Sequence, residues 1–190
     1  RFFKRVSTTG PARKRGFVMP TIDYSEGKIP KVLTDVTRGS IFSIFNTIFG
    51  SEPKFHGDGD GKKMGDGVVG IISFMGDINW IVMLELPKES AKAMASKFCG
   101  FDIDYDSADM GDVVGELANV LAGDIVARMA KEDLKAAMSL PTILRGHDVE
   151  PMLPSGLPLE KLHFQIPEGE FILKIAGAKS GEVVGRKPGT

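Results

Sequence analysis

The sequence predicts an α/β (α+β) domain built on a mainly antiparallel sheet with two long helices. Two segments rich in Val, Ile and Met, residues 68–75 and 79–86, are separated by a Gly76-Asp77 turn, which is typical of a β-hairpin. Three further strand-like segments follow the last helix without a helix between them, so we expect antiparallel pairing. With 190 residues and 42% hydrophobic content, the chain is long enough for one compact domain with its own core.

The first long helix is predicted from about residue 32 to Gly50. Ile and Phe residues fill a broad arc, Ser, Asn and Thr lie opposite, and glycine is a common helix end. The loop that follows, residues 56–67, is rich in Gly and Asp and begins like a calcium loop. Lys62 and Val69 stand where such a loop needs oxygen ligands, so we predict a flexible connector that binds no calcium.

Two helices are predicted after the hairpin. The shorter begins at Pro87, runs through Phe98 and is closed by Gly100, and the second long helix runs from about Ser107 to Ala130. Three side chains are able to cap its start: Ser107, Asp109 and Asp112. Small residues form a seam along it that predicts close packing against the first helix: Gly111, Gly115, Ala118 and Ala122.

The last part of the chain is predicted to form three strands, residues 137–144, 161–166 and 171–176, with a turn at 167–170. We expect the folded domain to span residues 29–177, followed by a polar tail at 178–190.

The charge of the chain is uneven. Residues 1–22 carry six Lys or Arg residues and no acid, although the whole chain has a formal net charge of −1. Such a segment is able to contact nucleic acid or membrane phosphates, but it lacks hydrophobic periodicity. We therefore interpret residues 1–28 as a disordered basic arm, and expect neither a nucleic-acid nor a membrane partner.

Several chemistries and locations are disfavoured by the sequence. Cys99 is the single cysteine, so no internal disulfide forms, and the cysteine usage is compatible with a cytoplasmic protein. The three histidines show no metal-ligand spacing, and no phosphate-binding loop or nucleophile elbow is present. No signal peptide is visible, and Asp77 and Asn79 interrupt the one segment apolar enough to suggest a membrane helix.

The second long helix carries the main functional candidate. At 100° per residue, four residues fall in one narrow polar stripe opposite the apolar arc: Asp112, Glu116, Asn119 and Gly123. Glu116 and Asn119, at i and i+3, project side by side, and Gly123 would let the backbone of a partner approach. A polar face is also what any solvated helix has, but Asn and Gly are poor helix formers at mid-helix. We therefore interpret the stripe as a binding face.

With these residues in place, the chain resembles the CheX branch of the CheC/CheX/FliY family of chemotaxis phosphatases. The signature of that family is an acidic or Ser residue, three residues, Glu, two residues and Asn, which here reads Asp112, Glu116, Asn119. The hairpin, the short Ala/Met-rich helix, the signature helix and the segment from Ser139 to Gly146 also follow in the order of the family. The resemblance spans about residues 30–177 and implies a CheC/CheX-like fold, with the two long helices packed on one face of the sheet.

The resemblance implies a function in two-component signalling. The protein would stimulate hydrolysis of the aspartyl phosphate on a phosphorylated CheY-like receiver domain. The receiver would supply the phosphate, a divalent metal and a Lys, so this chain would bind no cofactor or metal of its own. Asn119 would hold the attacking water in line, as a Gln does in GTPases, and Glu116 would pair with the Lys of the receiver. Asp112 would cap the helix or contact the rim of the partner.

Some family members carry a second copy of the signature on the first helix. The corresponding positions here are Ser43 and Asn46, led by Gly39, and because the Glu is missing we treat this second site as degenerate. A single site fits the CheX branch, whose members are dimers, so the resemblance also implies a homodimer.

Two alternatives stay open at this point. The same fold would serve as a non-catalytic adaptor, a receiver-binding or flagellar-switch module in which Glu116 and Asn119 only dock. The stripe would also suit a purely structural helix face, in which case both residues are replaceable.

Overall fold

The computed structural model describes residues 28–57, 63–154 and 156–178. Nearly all of the predicted basic arm, almost all of the C-terminal tail and the centre of the Gly- and Asp-rich loop lie outside these ranges. The predictions for those segments are therefore not tested by the structure.

Three helices form where the hydrophobic pattern predicts them. Helix α1 spans Lys31–Phe49, α2 spans Lys88–Cys99 and α3 spans Ala108–Lys131. Gly50 and Gly100 end α1 and α2 in the left-handed conformation, with φ angles of 70° and 80°. Glycine adopts this conformation without steric cost, which explains why both helices stop there.

The described strands form one seven-stranded, wholly antiparallel sheet in the order β1-β6-β7-β3-β2-β4, with β5 also paired to β2. The strands are β1 Lys54–Phe55, β2 Asp66–Gly76, β3 Asn79–Pro87, β4 Ala136–Met138, β5 Thr142–His147, β6 Leu159–Ile166 and β7 Gly169–Ala178. The predicted hairpin is the pair β2–β3, in which Phe74 lies opposite Trp80. The fold class predicted from the sequence is confirmed.

All three helices pack on one face of the sheet and share a single hydrophobic core with it. Helix α1 attaches through aromatic side chains: the Phe45 ring stacks on Phe171 of β7 at 4.4 Å, and Phe42 meets Phe164 of β6 edge-on at 6.1 Å. These contacts bury the apolar arc of the helix and leave Ser43, Asn46 and Thr47 exposed. Ser40, which the helical period places on the polar side, is buried instead, so this part of the prediction is wrong. Helix α3 likewise buries its apolar arc in the core, so the residues opposite that arc face outward.

The opposite face of the sheet has a small apolar cluster of its own. Residues 149–154 and 156–157 pass over it, and Val149, Leu153 and Leu157 pack against the cluster that contains Val69 and Met83. This segment therefore covers part of the far face of the central strands.

One strand prediction differs from the structure, and one short strand was not predicted. The segment predicted as one strand at residues 137–144 is two short strands, β4 and β5, separated by Ser139, Leu140 and Pro141. Proline lacks an N–H and cannot continue the hydrogen-bond ladder, which accounts for the break. Strand β1 was not predicted, since two residues carry no periodicity.

The small-residue seam of α3 differs in part from the prediction, because two of its residues pack against the sheet. A Cβ on Gly70 of β2 would lie 3.2 Å from the Cβ of Ala118, and a Cβ on Gly115 would lie 3.7 Å from Ile143 of β5. Gly115 and Ala118 therefore pack against the sheet, whereas a Cβ on Gly111 would meet no atom within 4 Å. Small residues permit close approach of either a helix or a strand, and here a strand glycine supplies the matching surface.

Candidate functional site

The start of α3 is fixed by a hydrogen-bonded loop and one arginine. The Ser107 hydroxyl accepts a long hydrogen bond (3.4 Å) from the Met110 backbone N–H, which makes Ser107 the N-cap. The Arg145 guanidinium, reaching from β5, donates to the carbonyl oxygens of Tyr105 (2.6 Å) and Ser107 (2.7 Å). A cation at a helix N-terminus opposes the helix dipole, so these two hydrogen bonds must outweigh that repulsion.

Tyr105 ties the same loop to the centre of the sheet. Its hydroxyl donates to the carbonyl oxygen of Gly67 in β2 (2.9 Å), and the Lys88 ammonium lies 4.7 Å from its ring centroid. Burial raises the pKa of Tyr105 above its usual range, and the negative charge of Asp66 adds to this effect. The neutral phenol is thus the form that the fold stabilises, and it helps to hold α3 against β2.

The polar stripe is present on α3 and faces away from the core. Asp112, Glu116 and Gly123 are exposed, and Asn119 is half-buried. Within the described part of the chain, neither the Glu116 nor the Asn119 side chain makes a hydrogen bond or an ion pair. A Cβ built on Gly123 would have no atom within 4 Å, so this end of the stripe is open to an approaching backbone.

The role of Asp112 differs from one of the two expected. Asp112 lies within α3, in its second turn, and Ser107 provides the cap, so the prediction that Asp112 caps the helix is wrong. A side chain at this position cannot reach back to the unpaired N–H groups of the first turn. The exposed carboxylate remains available to a partner.

The second, degenerate stripe lies on α1. Ser43 and Asn46 are both exposed there, whereas Asn119 on α3 is half-buried. Gly39, which stands where the signature has an acidic or Ser residue, is covered by the Arg128 side chain: a Cβ on Gly39 would lie 3.0 Å from the Arg128 Nη1. Arg128 is in turn held by Asp124 on α3 at 2.5 Å. The end of the α1 stripe is therefore covered by a guanidinium, whereas the corresponding end of the α3 stripe carries a free carboxylate.

The described ranges contain no cluster of three or more His, Cys, Asp or Glu side chains able to hold a metal ion. None of their helices is both long enough and apolar enough to cross a membrane.

Two arginines that shape the site were missed by sequence reasoning. Arg145 anchors the start of α3, and Arg128 covers the α1 stripe. Arg128 and Asp124 are spaced i, i+4, which indicates a helix pair, but nothing in the spacing indicates the contact with Gly39. Arg145 lies on a strand about forty residues from the loop that it binds, and no local pattern reports such a contact.

The chemistry available on this stripe is limited to binding and orientation. Glu116 offers two acceptor oxygens with a negative charge, and Asn119 offers an amide that both donates and accepts. Their side chains have no competing partners within the described chain, so they are free to engage an external protein surface. Together with the antiparallel α+β fold, this outward-facing pair agrees with the resemblance to the CheC/CheX class of proteins.

The family model described as chemotaxis phosphatase CheX matches residues 68–165, just over half of the chain. The protein belongs to this family. No curated protein matches the sequence significantly.

Solved structures support the same fold. The chain is similar to the chemotaxis protein CheX from Vibrio vulnificus, with 17% identity, a TM-score of 0.68 and coverage of 77% of this chain and 99% of that one. It is similar to a chain of the CheX-CheY-BeF3-Mg²⁺ complex from Borrelia burgdorferi, with 21% identity, a TM-score of 0.62 and coverage of 83% and 99%. A more distant likeness is to a chain of the FliM-SpeE complex from H. pylori, with 12% identity, a TM-score of 0.56 and coverage of 77% and 84%.

Proposed function

We propose that this protein is an aspartyl-phosphate phosphatase that stimulates dephosphorylation of a CheY-like receiver domain in chemotaxis or related two-component signalling. The observation that carries the proposal is the pair Glu116 and Asn119, side by side on α3, outward-facing and without a hydrogen-bond or ion-pair partner in the described part of the chain. The pair lies inside the region that matches the family of chemotaxis phosphatases. The Borrelia complex pairs a CheX protein with CheY, which supports a receiver domain as the partner.

The proposed roles follow from what phosphoryl transfer needs. This reaction depends mainly on positioning and on electrostatic stabilisation, so an inserted amide that orients water is a sufficient contribution. Asn119 holds the water in line with phosphorus, and its half-buried position restricts the side chain before docking. Glu116 pairs with a Lys of the receiver and fixes the docking register. The divalent metal belongs to the receiver, and this chain contributes none.

The other stripe residues contact the partner without taking part in the chemistry. Asp112 meets the rim of the receiver, and the bare backbone at Gly123 lets the two proteins approach closely. The homodimer, the cytoplasmic location and a domain spanning residues 29–177 are carried over from the sequence analysis and stay predictions.

A non-catalytic adaptor is the second candidate function. A shared fold does not by itself carry an activity, and this fold also occurs in a chain of the FliM-SpeE complex, which keeps a binding-only role open. In an adaptor, Glu116 and Asn119 would only bind the receiver.

The experiment is a phosphate-release assay on a panel of phosphorylated receiver domains from the source organism. The wild-type protein should accelerate phosphate loss from at least one receiver, and the double variant Glu116→Ala/Asn119→Ala should not. The matched control is Ser43→Ala/Asn46→Ala, which removes two exposed polar side chains from the neighbouring helix and should leave the rate unchanged. A receiver that binds without any acceleration would support the adaptor instead.

A further inference from the structure

The break between β4 and β5 places a large apolar side chain in solvent beside the candidate site. Ser139, Leu140 and Pro141 interrupt the edge of the sheet, and Leu140 is 87% exposed while both of its neighbours are partly buried. An isolated exposed leucine needs no explanation in itself. Leu140 differs from such a residue because its backbone is held by hydrogen bonds and because its loop lies next to α3.

The backbone around Leu140 is held by three hydrogen bonds. The Ser139 N–H donates to the Ser73 carbonyl oxygen (2.8 Å), and the Ser73 N–H donates to the Ser139 hydroxyl (3.1 Å). The same hydroxyl donates to the Leu140 carbonyl oxygen (2.9 Å). Pro141 further restricts Leu140 to extended conformations. Leu140 is therefore presented on a preorganised loop, which lowers the entropic cost of binding through it.

The loop lies against the flank of the stripe on α3. The Pro141 Cγ is 3.8 Å from the position that a Cβ on Gly115 would take, and Gly115 directly precedes Glu116. A standard protein interface buries about 800 Å² on each partner, which corresponds to a disc with a radius of about 16 Å. A partner centred on Glu116 and Asn119 therefore also covers the loop that carries Leu140.

The stripe and the loop complement each other chemically. The stripe offers only polar side chains and bare backbone, whereas the energy of most interfaces comes from a few buried apolar or aromatic anchors. Leu140 supplies such an anchor at the edge of the polar group.

We propose that Leu140 is a docking residue that inserts into an apolar patch on the receiver domain, beside its phosphorylated carboxylate. This inference rests on the proposed function, and it assigns Leu140 to binding and not to the chemical step. A second copy of this chain is the other occupant to consider. The receiver is favoured because the loop is continuous with Glu116 and Asn119, which have no partner within the described chain.

The test compares Leu140→Ala with Met152→Ala. Met152 is 93% exposed and lies in the segment that covers the far face of the sheet, so its loss controls for removing an exposed apolar side chain. Binding is measured by titration calorimetry against the receivers of the panel, activated with beryllofluoride, which imitates the phosphoryl group without being hydrolysed. Sedimentation velocity of each variant alone reports the oligomeric state.

Leu140→Ala should raise both Kd and KM about 10-fold with kcat unchanged, the effect expected when an interface loses most of one leucine side chain. Met152→Ala should leave Kd, KM and kcat within about 2-fold of wild type. The proposal is overturned if Leu140→Ala also binds within that range. It is equally overturned if the variant dissociates a dimer while keeping its affinity for the receiver, since Leu140 would then contact a second copy.

The design also separates this inference from the proposed function. A wild-type protein that binds an activated receiver but releases no phosphate refutes the phosphatase, while the contrast in Kd between the two variants still decides the role of Leu140. A wild-type protein that binds none of the activated receivers overturns both.

Discussion

Gly123→Ala should make the protein more stable and less active. Gly123 lies in the interior of the 24-residue helix α3, where glycine is less favourable than alanine by about 0.8–1.0 kcal/mol. A Cβ at this position meets no atom within 4 Å, so nothing in the fold opposes the substitution. We expect a gain of about 1 kcal/mol in the free energy of unfolding, which corresponds to a rise in Tm of about 2–4 °C for a chain of this size.

The same methyl group should interfere with the partner. If the receiver backbone approaches Gly123 closely, an added Cβ creates an overpacked contact that costs about 1–3 kcal/mol. A cost near the lower end raises the KM for the phosphorylated receiver about 10-fold. Thermal unfolding followed by circular dichroism and phosphate release measured on the same preparation provide the two values.

Gly111→Ala is the matched control for this prediction. A Cβ on Gly111 also meets no atom within 4 Å, but Gly111 lies on the same helix outside the stripe. Gly111→Ala should raise the free energy of unfolding by less than Gly123→Ala does, because Gly111 lies near the end of the helix. The Gly111→Ala variant should keep full activity. A loss of stability in Gly123→Ala would refute the reasoning from open space. Unchanged KM in the stabilised variant would show that Gly123 does not face the receiver.

Three further predictions concern the neighbouring helix and the anchor of α3. Ser43→Ala/Asn46→Ala should leave kcat/KM for the receiver within about 2-fold of wild type, since the signature on α1 lacks its Glu; a larger loss would make that stripe functional. Arg145→Ala should lower the free energy of unfolding by about 1–2 kcal/mol in urea denaturation, because two carbonyl oxygens lose a charged donor. Tyr105→Phe should be less stable than wild type at neutral pH, because the variant loses the hydrogen bond from the Tyr105 hydroxyl to the Gly67 carbonyl oxygen. The raised pKa of Tyr105 means that its contribution is complete below the ordinary value of 10.0 and is lost as the pH rises above it. The stability difference between Tyr105→Phe and wild type should therefore narrow above about pH 10 in unfolding curves; a difference that stays constant would contradict this.

Much of the fold was predictable because local patterns and tertiary packing agree. The apolar arcs of α1 and α3 are wide, the hairpin has a Gly-Asp turn, and Gly50 and Gly100 stand where the helices end in the left-handed conformation. In each case the residue type that the local geometry requires is the one present in the sequence.

The parts that were not predictable depend on contacts between distant segments. The break at residues 139–141 is stabilised by Ser73 on β2, and β1 exists only because it pairs with β6. Gly115 and Ala118 were expected to pack against α1 and instead pack against the sheet, because small residues indicate close packing without indicating which element packs there. Only the structure shows Gly70 as the partner of Ala118.

The candidate site was likewise predictable in part. The stripe on α3 follows from the helical period, so its members were identified from the sequence alone. Its surroundings were not, because they depend on segments distant in the sequence: Arg145 of β5 binds the loop before α3, and the loop between β4 and β5 lies against Gly115. The resemblance to a family supplied the chemistry that the spacing of residues could not.

The central claim is that Asn119 acts on water and Glu116 on the partner, and single-turnover hydrolysis at saturating phosphatase tests it most directly. Under these conditions the rate of phosphate loss from the receiver reports the chemical step without the binding step. Asn119→Ala should bind the beryllofluoride-activated receiver nearly as well as wild type but lose roughly 10²-fold or more in this rate. Glu116→Ala should show much of its defect as weaker binding, with a cost of about 2–5 kcal/mol if the charge pair is buried. If both variants weaken binding equally and the wild type releases no phosphate from any receiver, the account of Asn119 as a water-positioning residue is contradicted and the protein is an adaptor.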